Sequence, residues 1–154
     1  MIRSSLNWKA LARMGALGTW IGAILFSSTS LAGNVLDGAF TRYVTRQVLP
    51  YDTYDLYHRC HVHFLAEKDL HLTMFVVLGF LLWRVFPDSR GKAAAVLILG
   101  AVISCCSELL QSLFPGRDPA LRDVLINAGG MALGTGLSWI RARGNRNNGQ
   151  QIEG

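Results

Sequence analysis

Residues 93–114 read AAAVLILGAVISCCSELLQSLF, and this stretch decides the fold. Its only charged residue is Glu108. At about 1.5 Å of rise per residue, a helix of this length crosses the hydrocarbon core of a bilayer, which is about 30 Å thick. The stretch therefore predicts a membrane-spanning helix.

Two more apolar runs precede it and one follows it. Turn-forming residues such as Pro87 and the Pro115-Gly116 pair separate the runs. The predicted spans are residues 14–32, 70–86, 93–114 and 121–140. The first run has a second interpretation as a cleaved secretory signal, because a basic start precedes it and Ser30-Leu31-Ala32 fits a small-residue cleavage site. The further spans that follow favour a retained helix.

The composition of the whole chain agrees with a membrane protein. The 154 residues are 51% hydrophobic and 16% charged, whereas soluble domains carry about 25% charge. The three cysteines form no disulfide framework, and neither a P-loop nor a G-x-G-x-x-G motif is present. His58, Cys60, His61 and His63 match no known metal motif, so we expect no metal and no cofactor. The basic residues are dispersed, which argues against a nucleic-acid partner.

We therefore predict an all-α fold, a four-helix transmembrane bundle with a short interfacial helix in its first outer loop. Residues 1–140 form one membrane domain, residues 33–69 an outer segment, and residues 141–154 a polar, frayed cytoplasmic tail. The interfacial helix is predicted from apolar residues that recur at helical spacing between Asn34 and Pro50. The alternative is a loop helix packed on the bundle. The apolar residues of that stripe are Leu36, Phe40, Tyr43, Val44 and Val48.

The distribution of Lys and Arg predicts the orientation. If both termini and the turn at 87–92 share one side, that side nets +7 and the other nets −2, which sum to the formal charge of +5. The positive-inside rule then places both termini in the cytoplasm of a multi-pass inner-membrane protein. The nine basic residues of that side are Arg3, Lys9, Arg13, Arg84, Arg90, Lys92, Arg141, Arg143 and Arg146.

Three spans carry a polar residue at a similar depth. Counted from the cytoplasmic end of each helix, His71 and Glu108 lie at about 22 Å and Asn127 at about 20 Å. Polar residues inside spans are costly and mark functional sites. We expect His71 and Glu108 to exchange a proton and the remaining residues to bind a ligand in an outward-facing pocket. Those ligand-binding residues are Lys68, Gln111, Arg117, Asp123 and Asn127.

Each of these residues also has a purely structural interpretation. Asp123 would complement the dipole of its helix, Lys68 would extend to the interface, and Asn127 would join helices by a hydrogen bond. Glu108 is the hardest to explain in this way, because an unpaired carboxylate at that depth needs a cation or a proton.

The spacing of these residues resembles the VanZ-like membrane family. That family has K-x-x-H at the start of one span, E-x-x-Q at the end of the next, and then R, D-x-x-x-N and glycines. Here these positions are Lys68-Asp-Leu-His71, Glu108-Leu-Leu-Gln111, Arg117, Asp123-Val-Leu-Ile-Asn127, Gly129, Gly130 and Gly134. The resemblance covers residues 60–138 and implies a bacterial envelope protein, with founding members linked to low-level teicoplanin resistance. The resemblance does not indicate which reaction, if any, the protein catalyses.

Three functions fit this polar layer. In the first, the pocket binds or acts on an anionic membrane lipid or a lipid-linked cell-wall precursor. In the second, the layer is structural and the outer segment engages a partner or masks an antibiotic's target. The third is transport of a small ion or proton by an oligomer. Nothing in the sequence states whether the chain is an enzyme, and no nucleophile stands in a motif.

Overall fold

The computed structural model describes residues 7–30, 32, 56–114 and 120–150, and all regular structure within these ranges is helical. The helices are α1 (Trp8–Ser27), α2 (Leu56–Val85), α3 (Lys92–Gln111) and α4 (Leu121–Gln150). The predicted all-α fold class is confirmed.

Local chemistry explains where the helices begin and end. The Asn7 side-chain oxygen accepts a hydrogen bond from the Ala10 amide at 3.2 Å and so caps α1. Pro87 follows the last turn of α2, because proline has no amide proton to continue the helix. Gly91 precedes α3, whose first residue, Lys92, forms an ion pair with Asp88 at 2.8 Å.

Consecutive helices run antiparallel, and the closest contact is the seam between α2 and α4. A β-carbon on Gly130 would lie 2.5 Å from the Leu72 carbonyl oxygen, and one on Gly79 would lie 2.9 Å from the Met131 carbonyl oxygen. A β-carbon on Gly134 would lie still closer to the Val76 carbonyl oxygen. Only glycine permits the two backbones to approach in this way.

Helices α1 and α3 complete the bundle through side chains. The Trp20 indole nitrogen of α1 donates a hydrogen bond to the Met74 carbonyl of α2 at 2.9 Å, and Ile24 is buried in the core. Gly100 of α3 receives the side chain of Met131 from α4. The buried apolar core consists of Ile24, Phe75, Leu78, Leu82, Val96, Ile103 and Met131.

The described residues distribute polarity in the reverse of a soluble protein. Eleven buried residues are polar or charged and eight are apolar. Large apolar side chains instead cover the exposed faces of α3 and α4. Soluble monomers rarely expose contiguous apolar surface of this extent. These exposed residues include Leu97, Ile98, Val102 and Leu109 on α3 and Leu125, Leu133, Leu137 and Ile140 on α4.

Two helices, Trp8–Ser27 and Lys92–Gln111, are long and apolar enough to cross a membrane. Helix α2 carries Lys68 and Asp69 immediately before its apolar part, and α4 is rich in glycine and contains Asn127. Because of these residues, neither helix has an apolar stretch that is long and uncharged enough to be assigned as a span from length and composition alone. The structure thus supports a membrane protein, while the arrangement with four spans and its orientation stay predictions.

The helices do not have the same limits as the predicted spans and segments, which stay predictions. The first span, predicted at 14–32, corresponds to a helix over Trp8–Ser27 with a turn after it. Residues 56–69, assigned to the outer segment, belong to α2, and residues 141–150, predicted to be frayed, belong to α4. The third span, predicted at 93–114, ends at Gln111. Apolar runs mark where lipid would surround a helix, whereas the backbone hydrogen bonds continue past that limit. The predicted interfacial helix between Asn34 and Pro50 lies outside the described residues.

Candidate functional site

An ion pair joins α2 to the start of α4 at one end of the predicted site. The Lys68 Nζ lies 2.7 Å from Asp123 Oδ2, and the two side chains are 12% and 5% exposed. Arg122 Nε lies 3.7 Å from the other oxygen of Asp123. Lys68 lies one turn before His71 on the same face of α2. The ion pair therefore brings the start of α4 against the face of α2 that carries His71.

A hydrogen bond joins α4 to α3 one turn deeper. Asn127 Nδ2 donates to Ser104 Oγ at 3.0 Å, and both residues are buried. The side chain of Asn127 therefore lies in the interior of the bundle.

Glu108 and Gln111 extend the same layer along α3. The Glu108 Oε2 accepts a hydrogen bond from the Ala120 amide at 3.4 Å, which links α3 to the start of α4. Both side chains are buried, at 6% and 3% exposure. A carboxylate and an amide thus lie inside the bundle at the end where α3 stops.

His71 faces this layer from α2 and is 7% exposed. Its side chain interacts electrostatically with Asp123 and Lys68 and lies within reach of Asn127. Glu108 also interacts with Asp123 and Lys68. His71 and Glu108 therefore share the Lys68–Asp123 pair and Glu67 as electrostatic neighbours. Among the described residues, no hydrogen bond joins His71 directly to Glu108.

Four buried polar atoms of the layer have no hydrogen-bond partner among the residues that the structure describes. Three of them are oxygens that accept hydrogen bonds, and one is an amide nitrogen that donates them. Buried polar groups are normally paired, since an unpaired one costs about 1–3 kcal/mol. The atoms are Glu108 Oε1, Asp123 Oδ1, Asn127 Oδ1 and Gln111 Nε2.

Six of the seven predicted site residues thus lie in one buried polar layer, namely Lys68, His71, Glu108, Gln111, Asp123 and Asn127. Arg117 lies outside the described residues. The stretch from His58 to His63 belongs to helix α2. Among the residues that the structure describes, no group of three His, Cys, Asp or Glu side chains could hold a metal ion.

The sequence analysis did not predict two further buried polar residues on α4, beyond the polar layer. Thr135 and Ser138 are buried on α4, and Thr135 Oγ1 has no partner among the described residues. Both follow Asn127 along one face of the helix, at intervals of eight and eleven residues. The face that carries Asn127 and Gly134 was visible in the sequence, and following it further would have found both residues.

Among the described residues, helices that bury polar side chains and expose large apolar ones are typical of helical membrane proteins. A family model described as VanZ/LLP1 matches residues 14–142, which is most of the chain. The chain belongs to the VanZ/LLP1 family, and the resemblance inferred from the spacing of its polar residues is confirmed. No curated protein and no solved structure matches the chain.

Proposed function

We propose that the buried polar layer is an outward-facing pocket for the head group of an anionic lipid or a lipid-linked cell-wall precursor. The protein is then a multi-pass component of the bacterial inner membrane that alters susceptibility to teicoplanin. The observation that carries the proposal is the set of four buried polar atoms that make no hydrogen bond within the described residues, although Arg122 Nε lies 3.7 Å from one of them, Asp123 Oδ1. A ligand that completed their hydrogen bonds would recover the cost of burying them.

The balance of donors and acceptors indicates which part of a ligand fits. Glu108 Oε1, Asp123 Oδ1 and Asn127 Oδ1 accept hydrogen bonds, whereas Gln111 Nε2 donates. Hydroxyl and amide groups, such as those of a sugar-bearing precursor, supply the missing donors. Lys68 already forms an ion pair with Asp123 at 2.7 Å. We therefore propose that Arg117 binds the phosphate of the ligand.

The chemistry available to such a site is proton transfer rather than nucleophilic attack. His71 and Glu108 are the groups that can change protonation state, and a bound head group would connect them. The nearby serines are engaged elsewhere. Ser107 Oγ donates to the Ser104 carbonyl at 2.8 Å, and Ser104 Oγ accepts from Asn127.

The test compares Glu108→Gln and His71→Gln with the wild-type chain and with Ser112→Ala, an exposed position one residue past α3. Each variant is checked for membrane insertion and helicity. Binding of a lipid-linked wall precursor to the purified protein is then measured, together with teicoplanin susceptibility of the expressing cells. We expect both layer variants to lose precursor binding and the susceptibility change, and Ser112→Ala to retain them. Normal binding by both folded layer variants would overturn the proposal.

A second function is favoured by the direct bonds within the layer. The Lys68–Asp123 pair and the Asn127–Ser104 hydrogen bond join three helices, which is what a purely structural layer requires. In that case Glu108→Gln should leave the phenotype intact and be neutral or stabilising, because it removes a buried charge. The same variant therefore separates the two functions.

A further inference from the structure

A cleft opens at the end of the bundle opposite the polar layer. Its volume is about 580 Å³, within the range of small-ligand sites. Helix α2, the turn before α3, and the later part of α4 enclose it. The side chains that matter here are Trp83, Asp88, Arg90, Lys92, Trp139 and Arg143.

The cleft carries an excess of positive charge. Lys92 Nζ lies 2.8 Å from Asp88 Oδ1, so these two charges compensate each other. Lys92 also lies 4.6 Å from the centre of the Trp83 ring and is buried. Arg90 and Arg143 then remain as a net charge of +2, because no carboxylate among the described residues forms an ion pair with either.

Arg143 is held in a position suited to an oxyanion. Its guanidinium carbon lies 4.2 Å from the centre of the Trp139 ring. A guanidinium stacked on an aromatic ring keeps its N–H donors in its own plane, where they match the oxygens of a phosphate. The exposed Arg90 stands across the same cleft and supplies a second cation.

The surroundings of the cleft are those of a membrane interface. Trp83 lies twelve residues after His71 on α2, which is about 18 Å along the helix. Tryptophan is enriched at this depth because its ring is apolar and its N–H is polar. Leu137 and Ile140, both about 60% exposed, flank Trp139 on α4 and continue the apolar outer surface to the rim.

We propose that this cleft binds the phosphate group of an anionic membrane lipid, with Arg90 and Arg143 contacting the phosphate and the tryptophans contacting the adjoining glycerol and chains. This site is separate from the polar layer and does not depend on the function proposed there. The juxtaposition of two uncompensated arginines, two indoles and an apolar rim distinguishes it from a diffuse basic surface.

The experiment measures lipid retention by the full chain in detergent, using native mass spectrometry with phosphatidylglycerol and phosphatidylcholine as probes. The matched variants are Arg143→Gln and Arg141→Gln, which remove the same charge two residues apart on α4, inside and outside the cleft. The loss of about one charge at the interface predicts about a fivefold weaker retention of phosphatidylglycerol for Arg143→Gln. The combined Arg90→Gln and Arg143→Gln variant should lose about 30-fold.

Arg141→Gln should stay within about twofold of the wild type, since a single exposed charge outside a site contributes little. Equal losses for Arg141→Gln and Arg143→Gln would overturn the proposal, because they would indicate diffuse attraction. Displacement of phosphatidylglycerol by millimolar inorganic phosphate would also overturn it and assign the cleft to a free anion. A thermal unfolding profile for each variant excludes loss of fold as the cause.

Discussion

Lys68 and Asp123 form the ion pair on which the polar layer depends. Both are largely buried, and they connect the two helices that approach most closely. Two charges removed from water stabilise a fold only while they remain together, because either one alone would be buried without compensation. The energetic importance of this pair is therefore best measured by separating its members.

We expect Lys68→Met to lower the free energy of unfolding by about 3 kcal/mol, because Asp123 would lose its closest cation. Adding Asp123→Asn should restore most of that loss, since it removes the stranded charge. Unfolding of the purified chain in mixed detergent micelles, followed by helicity, measures both changes. A cost below about 1 kcal/mol for Lys68→Met would show that the pair is solvated.

The sequence predicted most of the site because membrane helices make depth countable. A residue number converts directly to a height along a span, so His71, Glu108 and Asn127 could be assigned to one level. Individual hydrogen-bond partners could not be predicted in this way. Ser104 accepts from Asn127 only because α3 and α4 have a particular rotation about their axes, and height contains no information about rotation.

At the scale of the element, the seam between α2 and α4 consists of backbone against backbone. Gly130 lies against the Leu72 carbonyl, whereas a β-carbon on the adjacent Gly129 would meet nothing within 4 Å. Neighbouring glycines on one helix thus have opposite roles. One permits close packing, and the other only lowers helix propensity.

We predict that Gly130→Ala destabilises the chain by about 1–3 kcal/mol, because the two helices must separate to admit a methyl group. Gly129→Ala, the matched control, should be neutral or stabilising by up to about 1 kcal/mol. Detergent unfolding midpoints of the two variants provide the comparison. Equal midpoints would mean that the seam is looser than the structure describes.

Helix α1 is attached to the bundle by specific contacts, including the hydrogen bond from Trp20 to the Met74 carbonyl. Such contacts favour the retained span over the cleaved signal. We expect peptide mass mapping of the protein extracted from membranes to recover peptides from α1. A protein that begins after Ala32 would assign α1 to a signal peptide instead.

The extents of the helices were predicted less well than their number. Apolar runs predicted four spans, and a helix covers most of each one among the described residues, whereas the predicted interfacial helix lies outside them. Helices α2 and α4 nevertheless extend well past the apolar runs, at residues 56–69 and 141–150. Hydrophobicity reports contact with lipid, while helix formation depends on backbone hydrogen bonds that also form in water.

At the scale of the whole molecule, the bundle has two chemically different ends. The polar layer lies at one end, and the arginine and tryptophan cleft lies at the other. Charge asymmetry predicts that the cleft faces the cytoplasm.

We therefore expect Cys60 to react with a membrane-impermeant maleimide in intact cells when Cys105 and Cys106 are replaced by alanine. A single cysteine placed by Arg146→Cys should react only after the cells are permeabilised. Mass-tag gel shifts of the two variants report the sides directly. Labelling of both positions in intact cells, or of position 146 alone, would contradict the orientation with cytoplasmic termini.

The continuation of α4 to Gln150 has a practical consequence for anyone who works with this protein. Ten residues of helix beyond Ile140 extend about 15 Å. If the fourth span ends at Ile140 as predicted, an affinity domain fused after Gln150 would stand clear of the lipid surface, and a nanobody raised against residues 141–150 would give a small particle a fiducial for imaging.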